Sequence, residues 1–208
     1  MPRPRSLTGP RIADAALAVL DRDGAAALTM RAVAAELGMG TMSLYRYVTG
    51  REELEELVVE RVLSAVDTGV PGGPWESRLA ELAERVRAAL LGHPGALPLM
   101  QARRHRAPSS HRWGEAVLGA LTEAGFAGED RVVAFRLFSG YVIGALQAEH
   151  LGPLAGEGTG ALAALEGEGL PLLGETAACA RSVPDAEAFR RGVRILLRGL
   201  AAEAAPER

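Results

Sequence analysis

"LTMRAVAAELGMGTMSLYRYV", residues 28–48, is the stretch whose reading decides the fold. Two short helical patterns flank a glycine. In the first, Thr29 stands where a hydroxyl caps a helix, and Val33, Ala34 and Leu37 recur at helical spacing. Gly38 ends it. The second begins near Thr41, with Leu44, Tyr45 and Val48 recurring. Two short helices joined by a glycine turn have the geometry of a helix-turn-helix, whose second helix enters the DNA major groove. The small Ala34 lets the helices cross closely, and Leu44 anchors the second from beneath. Thr41, Met42, Ser43, Arg46 and Tyr47 are left facing outward, with Tyr45 beside them. Hydroxyls and arginine donate to phosphate oxygens, and arginine also pairs with guanine edges. No carboxylate lies between Leu37 and Arg51, as a phosphate-facing surface requires.

The charge of the whole chain hides this. The net value is −3, yet residues 1–51 hold seven Arg and four acids, while the rest holds sixteen Arg and twenty-two acids. The basic part contains the motif. Every basic residue is Arg, which with the Ala and Gly excess reads as GC-rich coding rather than as chemistry.

Hydrophobic residues make up 48% of 208, enough for a substantial core, so disorder is not expected. No apolar run approaches the roughly 18 residues that span a membrane. The basic N-terminus lacks the apolar segment of a secretory signal. A single cysteine, Cys179, forms no internal disulfide or multi-cysteine zinc site, and a reducing cytoplasm fits it best.

Outside the motif the periodicity predicts helices throughout. Thr8 and Pro10 open one that Gly24 stops. "REELEELVVERVLSAV", from Arg51, is a long amphipathic helix, and the Gly- and Pro-rich "DTGVPGGPW" from Asp67 marks a joint. Helices are expected at 75–91, 97–103 and 110–125. The helix at 129–151 is apolar around most of its girth, hence buried on several sides. A clean stripe of Phe189, Val193, Leu196, Leu197 and Leu200 marks a terminal helix at 185–202. The Gly-rich 152–174 reads as a mobile loop with a partial helix, and Cys179 as a loop-like, partly buried residue. "RRHRAPSSHRW", from Arg103, offers four arginines to an anionic ligand or a second nucleic-acid contact, but reads first as a solvated loop joining two helices; its His pair lacks a carboxylate for a metal site. No strand alternates and no repeat appears. The fold class is all-α: a three-helix helix-turn-helix domain followed by a helical bundle.

The same residues bring a family into view. Leu28-Thr29, Arg31, Val33-Ala34, Leu37-Gly38, Ser43, Leu44-Tyr45, Tyr47-Val48 and Arg51-Glu52-Glu53-Leu54 resemble the signature of the TetR family of bacterial transcriptional repressors, over about residues 8–66. More loosely, "GHPGALPLM", "WGEAVLGALTEAGF" and "FRLFSGYVIGALQAEH" are similar to the C-terminal class of the tetracycline repressor. The resemblance implies that Thr29 and Arg31 approach DNA and that Thr41, Met42 and Ser43, behind Gly40, face the groove. Tyr45 and Tyr47 would hold phosphates, and Arg51 the backbone. Where the tetracycline-responsive members carry Trp between the aromatic positions, this chain has Arg46, so base preference does not carry over. It also implies that the helices at 129–151 and 185–202 pair with those of a second subunit.

The expected division is a DNA-binding domain at 1–50 and a ligand-binding and dimerisation domain at 51–208, with 51–66 connecting them. The expected function is a ligand-responsive regulator, most simply a repressor released from a palindromic operator by a small hydrophobic molecule. A pocket is expected from Leu79, Val86, Met100, Trp113, Val117, Phe135, Phe138 and Val142, with Arg104, Ser139 and Gln147 as polar neighbours. No catalytic, cofactor or metal site is expected, nor any enzyme activity. The rival is a helical small-molecule carrier or scaffold that does not bind DNA, for which an acid-free outward helix has no use. Arg3 and Arg5 form a tail suited to a minor groove.

Overall fold

The computed structural model describes residues 7–69, 72–151 and 157–204, and among these all regular structure is helical. α1 (Gly9–Asp23) starts with Pro10 in its first turn, where a missing N–H costs nothing. Thr8 is its N-cap in extended conformation. Its hydroxyl makes no capping bond, and its carbonyl accepts the Ile12 N–H at 3.1 Å. Gly24 stops the helix at φ +82°, donating its N–H to the Leu20 carbonyl. A 3-10 turn at Ala25–Ala27 leads to α2 (Met30–Glu36). There Thr29 Oγ1 accepts the Ala32 N–H at 3.2 Å, the cap that the sequence predicts. Gly38 then takes φ +66°, which side chains disfavour, and redirects the chain.

α3 (Thr41–Leu44) is one turn long, and hydrogen-bonded turns extend it to Val48 through Tyr47 N–H to Leu44 O at 2.9 Å. α4 (Arg51–Leu63) packs on α1, α1 on α2, and α2 on α3. Leu28, Val33, Ala34, Leu44, Val48, Leu54 and Val58 are all buried in this arrangement.

α5 (Trp75–Leu91), α6 (Leu97–Arg103) and α7 (Pro108–Glu123) follow, with 3-10 turns at Pro94–Ala96 and Arg104–Arg106. Then come α8 (Gly128–Leu151), α9 (Glu157–Ala164), α10 (Pro171–Ala180) and α11 (Asp185–Ala204). Packing divides the chain into two units: Met1–Gly69 with Ala88–Ala116, and Val70–Arg87 with Val117–Arg208. In the first, α4 packs on both α1 and α6. In the second, α8 lies against α11, where the Tyr141 hydroxyl donates to the Phe189 carbonyl at 3.1 Å. Gly192 is required at that crossing, since a Cβ there would collide with the Tyr141 hydroxyl.

Four sequence expectations are corrected. From residue 157 onward the Gly-rich segment is ordered helix: α9, a 3-10 turn at Leu165–Glu168, and α10. Its small residues serve close packing, with Thr159, Gly174 and Ala177 buried where α9 and α10 meet. Residues 152–156 lie outside the described ones. Cys179 stands on α10 and is exposed, not loop-borne or partly buried. The arginine-rich connection from Arg103 is exposed over most of its length, as expected, but it is helical at both ends and ion-paired to α4 rather than a plain loop. Lastly, within one chain α8 buries a single stripe, Ala134, Phe138, Val142 and Leu146. Its second apolar stripe is open to water, with Val133 64% and Leu137 50% exposed.

Leu44→Ala should destabilise the protein by about 2–5 kcal/mol, because a fully buried side chain leaves a cavity under a helix of one turn. Denaturant unfolding followed by circular dichroism measures this, and a loss below about 0.5 kcal/mol would contradict the anchoring role.

Candidate nucleic-acid interface

The short α3 presents its side chains because Leu44 and Val48 alone turn inward. Met42 is 79% exposed, Tyr45 and Tyr47 are each about half exposed, and Ser43, Arg46 and Gly40 are also outward, with Thr41 partly covered. On α2, Arg31 is exposed, whereas the Thr29 hydroxyl is engaged as the helix cap. The surface therefore offers hydroxyl, amide and guanidinium donors and two aromatic edges without a carboxylate among them.

The nearest carboxylates are turned to other tasks. Glu36 accepts Arg22 Nη1 at 2.9 Å. Glu53 reaches back over the start of α4 to accept both the Thr49 N–H at 2.7 Å and its hydroxyl at 2.9 Å. This arrangement fixes the residue just before the N-cap Gly50 against the first turn of α4. Arg51, at the head of α4, donates from Nε to Glu55 Oε1 at 2.9 Å and from Nη2 to the Ala25 carbonyl at 3.0 Å. It thus ties α4 to the 3-10 turn between α1 and α2 while its guanidinium stays about half exposed.

Behind Arg51 runs a rack of charge that sequence reading missed. Arg103 donates from Nε to Glu55 Oε2 at 3.0 Å and from Nη1 to Glu52 Oε2 at 3.3 Å. Arg106 donates to Glu56 at 3.0 Å. Ser109 gives Glu60 its backbone N–H at 2.9 Å and its hydroxyl at 2.7 Å, and Arg112 donates to the Ser109 hydroxyl at 2.7 Å. The signal was present in the spacing. Arg103, Arg106, Ser109 and Arg112 are three residues apart, and Glu52, Glu55 or Glu56, and Glu60 form the helical stripe that answers them. A further tie, His93 Nδ1 to Asp21 Oδ2 at 2.8 Å, joins the turn before α6 to α1.

Glu55 is the buried carboxylate of the rack. Burial alone would raise its pKa, but hydrogen bonds and charge from Arg51 and Arg103 outweigh that and hold it below the ordinary glutamate value. The Arg103 guanidinium is correspondingly raised, chiefly by its hydrogen bond to Glu55.

The expected ligand-binding residues are distributed over both units. Leu79, Val86, Val117, Phe138 and Val142 are buried in the second, and Phe135, Ser139 and Gln147 are half-buried along α8. Ser139 donates its hydroxyl to the Phe135 carbonyl. In the first unit Met100 is buried, Trp113 half-buried and Arg104 exposed. Glu149, beside His150, accepts a two-pronged pair from Arg87 at 2.6 and 3.1 Å. No helix among the described residues is long and apolar enough to cross a membrane.

Two family models match the chain. One, described as bacterial regulatory proteins of the tetR family, covers residues 12–57; the other, the tetracyclin repressor-like C-terminal domain, covers residues 69–204. The HTH-type transcriptional repressor DrrR1 of Streptomyces coeruleorubidus is 38% identical over 71% of this chain and 55% of its own length. The chain thus spans little more than half of that relative. The class D tetracycline repressor protein of Escherichia coli is 31% identical over 90% of this chain and 86% of its own. In structure, the TetR family protein ActR of Streptomyces coelicolor, solved in complex with actinorhodin, matches with a TM-score of 0.83 at 29% identity. That match covers 98% of this chain and 99% of ActR.

The Glu55 pairs stabilise the fold only while its carboxylate is ionised. Because its folded pKa is lowered, that stability is complete above the unfolded value of about 4.3 and is lost as pH falls through the folded value. Wild type should therefore lose stability more steeply than Glu55→Gln as pH falls below about 4.3. Parallel slopes in acid denaturant titrations would show that the pair carries no linkage.

Proposed function

The chain belongs to the TetR family of bacterial regulatory proteins, and from that premise we propose that it is a ligand-responsive, DNA-binding transcriptional regulator of the bacterial cytoplasm. The observation that carries this is the acid-free surface of α3, held outward over the buried Leu44. In this reading residues 1–50 are the DNA-binding head, with 51–66 connecting it to a ligand-binding and dimerisation domain that continues to residue 208. Thr41, Met42 and Ser43, introduced by Gly40, face the major groove with Arg46. Tyr45, Tyr47, Arg31 and Thr29 meet the phosphates, and Arg51 reaches the backbone from α4.

A symmetric dimer supplies two reading helices to two half-sites about 34–36 Å apart, or a multiple of that, on a near-palindromic operator. The exposed apolar stripes support it. Val133 and Leu137 on α8 and Ile195 on α11, itself 67% exposed, offer a self-complementary seam. Leu196, half-buried, lies at the edge of that seam.

A small hydrophobic molecule acts as the release signal in this reading, and the apolar residues of the second unit, Leu79, Val86, Val117, Phe138 and Val142, are its expected contacts there. The actinorhodin complex of ActR supports an organic small molecule as the kind of signal. Since α6 packs on α4 and α4 on α1, a displaced α6 moves the head. A ligand that prefers the DNA-incompetent state about a hundredfold supplies about 2.7 kcal/mol per site.

Arg46→Ala or Tyr47→Ala should weaken DNA binding by about 1–3 kcal/mol in anisotropy titrations while leaving the helical signal intact. Unchanged affinity in both variants would remove α3 from the interface. Ile195→Glu should convert a dimer to a monomer in light scattering, since an unpaired carboxylate is costly in an apolar seam. A wild-type mass of one chain would exclude the pairing.

A further inference from the structure

Glu55 is a carboxylate shared by two arginines with different duties. Its Oε1 takes Arg51, the residue at the head of α4, and its Oε2 takes Arg103, the last residue of α6. The carboxylate is nearly enclosed, at 11% side-chain exposure, whereas Arg51 is about half exposed. An enclosed negative charge needs cationic partners, because water does not solvate it there. With both arginines in place, Arg103 and Arg51 divide that demand, and Arg103 is itself braced on Glu52. With Arg103 withdrawn, the whole demand falls on Arg51.

We infer that Glu55 and Arg103 govern how freely Arg51 can serve a DNA phosphate: Arg103 relieves Glu55, and loss of Arg103 lets Glu55 recapture Arg51 from DNA. The inference rests on the reading of the Arg51 surface as a DNA contact. Its basis is the geometry of one carboxylate between a solvent-facing arginine and an arginine on α6. Displacement of α6 by a fraction of a hydrogen-bond length at Arg103 then reaches the DNA surface as competition for a single side chain. No movement of the reading helix is needed for that effect. Arg103 and Glu55 are positioning residues here; of the three, only Arg51 touches phosphate.

This differs in a testable way from a simple staple between α6 and α4. If Arg103 only holds the helices together, removing Glu55 as well adds to the damage. If Glu55 competes for Arg51, removing its charge repairs the damage. The experiment measures binding of the full chain to a mixed-sequence 30-base-pair duplex by fluorescence anisotropy across a salt series, with helical content checked by circular dichroism. Phosphate contacts dominate such binding, so no operator need be known.

Arg103→Ala should bind about tenfold more weakly for each subunit engaged, with a log–log salt slope shallower by about one unit per engaged subunit. Adding Glu55→Gln to Arg103→Ala should restore both affinity and slope. In an Arg51→Ala background neither change should alter binding. Overturning results are unimpaired binding by Arg103→Ala, a double variant as weak as Arg103→Ala alone, or an Arg103 effect that persists without Arg51. Should Arg103→Ala lose its helical signal, Glu55→Gln alone decides: binding at or above the wild-type level supports the competition, and a fall of about tenfold overturns it. Failure of the wild-type protein to bind the duplex at low salt would instead sink the DNA-binding reading itself, and this inference with it.

Discussion

A helix of one turn cannot hold itself together. α3 has too few residues to offset the entropy of nucleation, so its shape is imposed by what lies under and around it. Leu44 supplies the floor, and Gly38 sets the angle at which the segment arrives. Thr29 fixes the start of α2, against which α3 packs. The first unit is arranged around this dependence. Because only Leu44 and Val48 turn inward, every other side chain from Thr41 to Tyr47 remains available outside. The arrangement leaves a small rigid platform whose chemistry can vary without disturbing its support.

α4 carries the support further by using two faces for two kinds of force. Leu54, Val58 and Val62 are buried, and this helix packs on α1. On another side, Glu52, Glu55, Glu56 and Glu60 meet the arginines and the serine of α6 and α7. The apolar face gives stability without direction. The ionic face gives register, because Arg103, Arg106 and Ser109, three residues apart, each meet particular carboxylates of α4. Exposed ion pairs contribute little energy individually. Glu55 is the exception, since its enclosure makes the loss of either arginine expensive.

The helices up to Val48 were legible in the sequence because local signals fixed them: Thr29 as a cap, Gly38 as a turn, Leu44 as a buried anchor. The spans of α5 and α6 were legible for the same reason, being bounded by Pro and Gly. What escaped was whatever depended on a partner distant in sequence. The stretch from Arg103 to Arg112 is basic and hydrophilic, and in isolation such a run reads as solvated. Only its contact with α4 turns it into structure. The Gly-rich segment misleads in the opposite way. Small residues suggest flexibility when read along the chain, but Gly174 and Ala177 are small because another helix lies against them. The girth of α8 was visible, while the fact that one chain covers only part of it was not. The residues expected at the DNA surface and in the ligand pocket are placed here as proposals. They follow from exposure and chemistry for the former, and from apolar character for the latter.

The open aliphatic stripe on α8 and the bare Ile195 on α11 also set a scale that no single copy can satisfy. Under the pairing proposed, covering those side chains is a second-order event, so the favoured state depends on how many copies share a cell. Partner binding adds to apparent stability by mass action. Dilution would therefore cost the protein both its symmetry and part of its resistance to unfolding. Under that pairing, rising copy number alone would shift the balance toward the covered, more stable form.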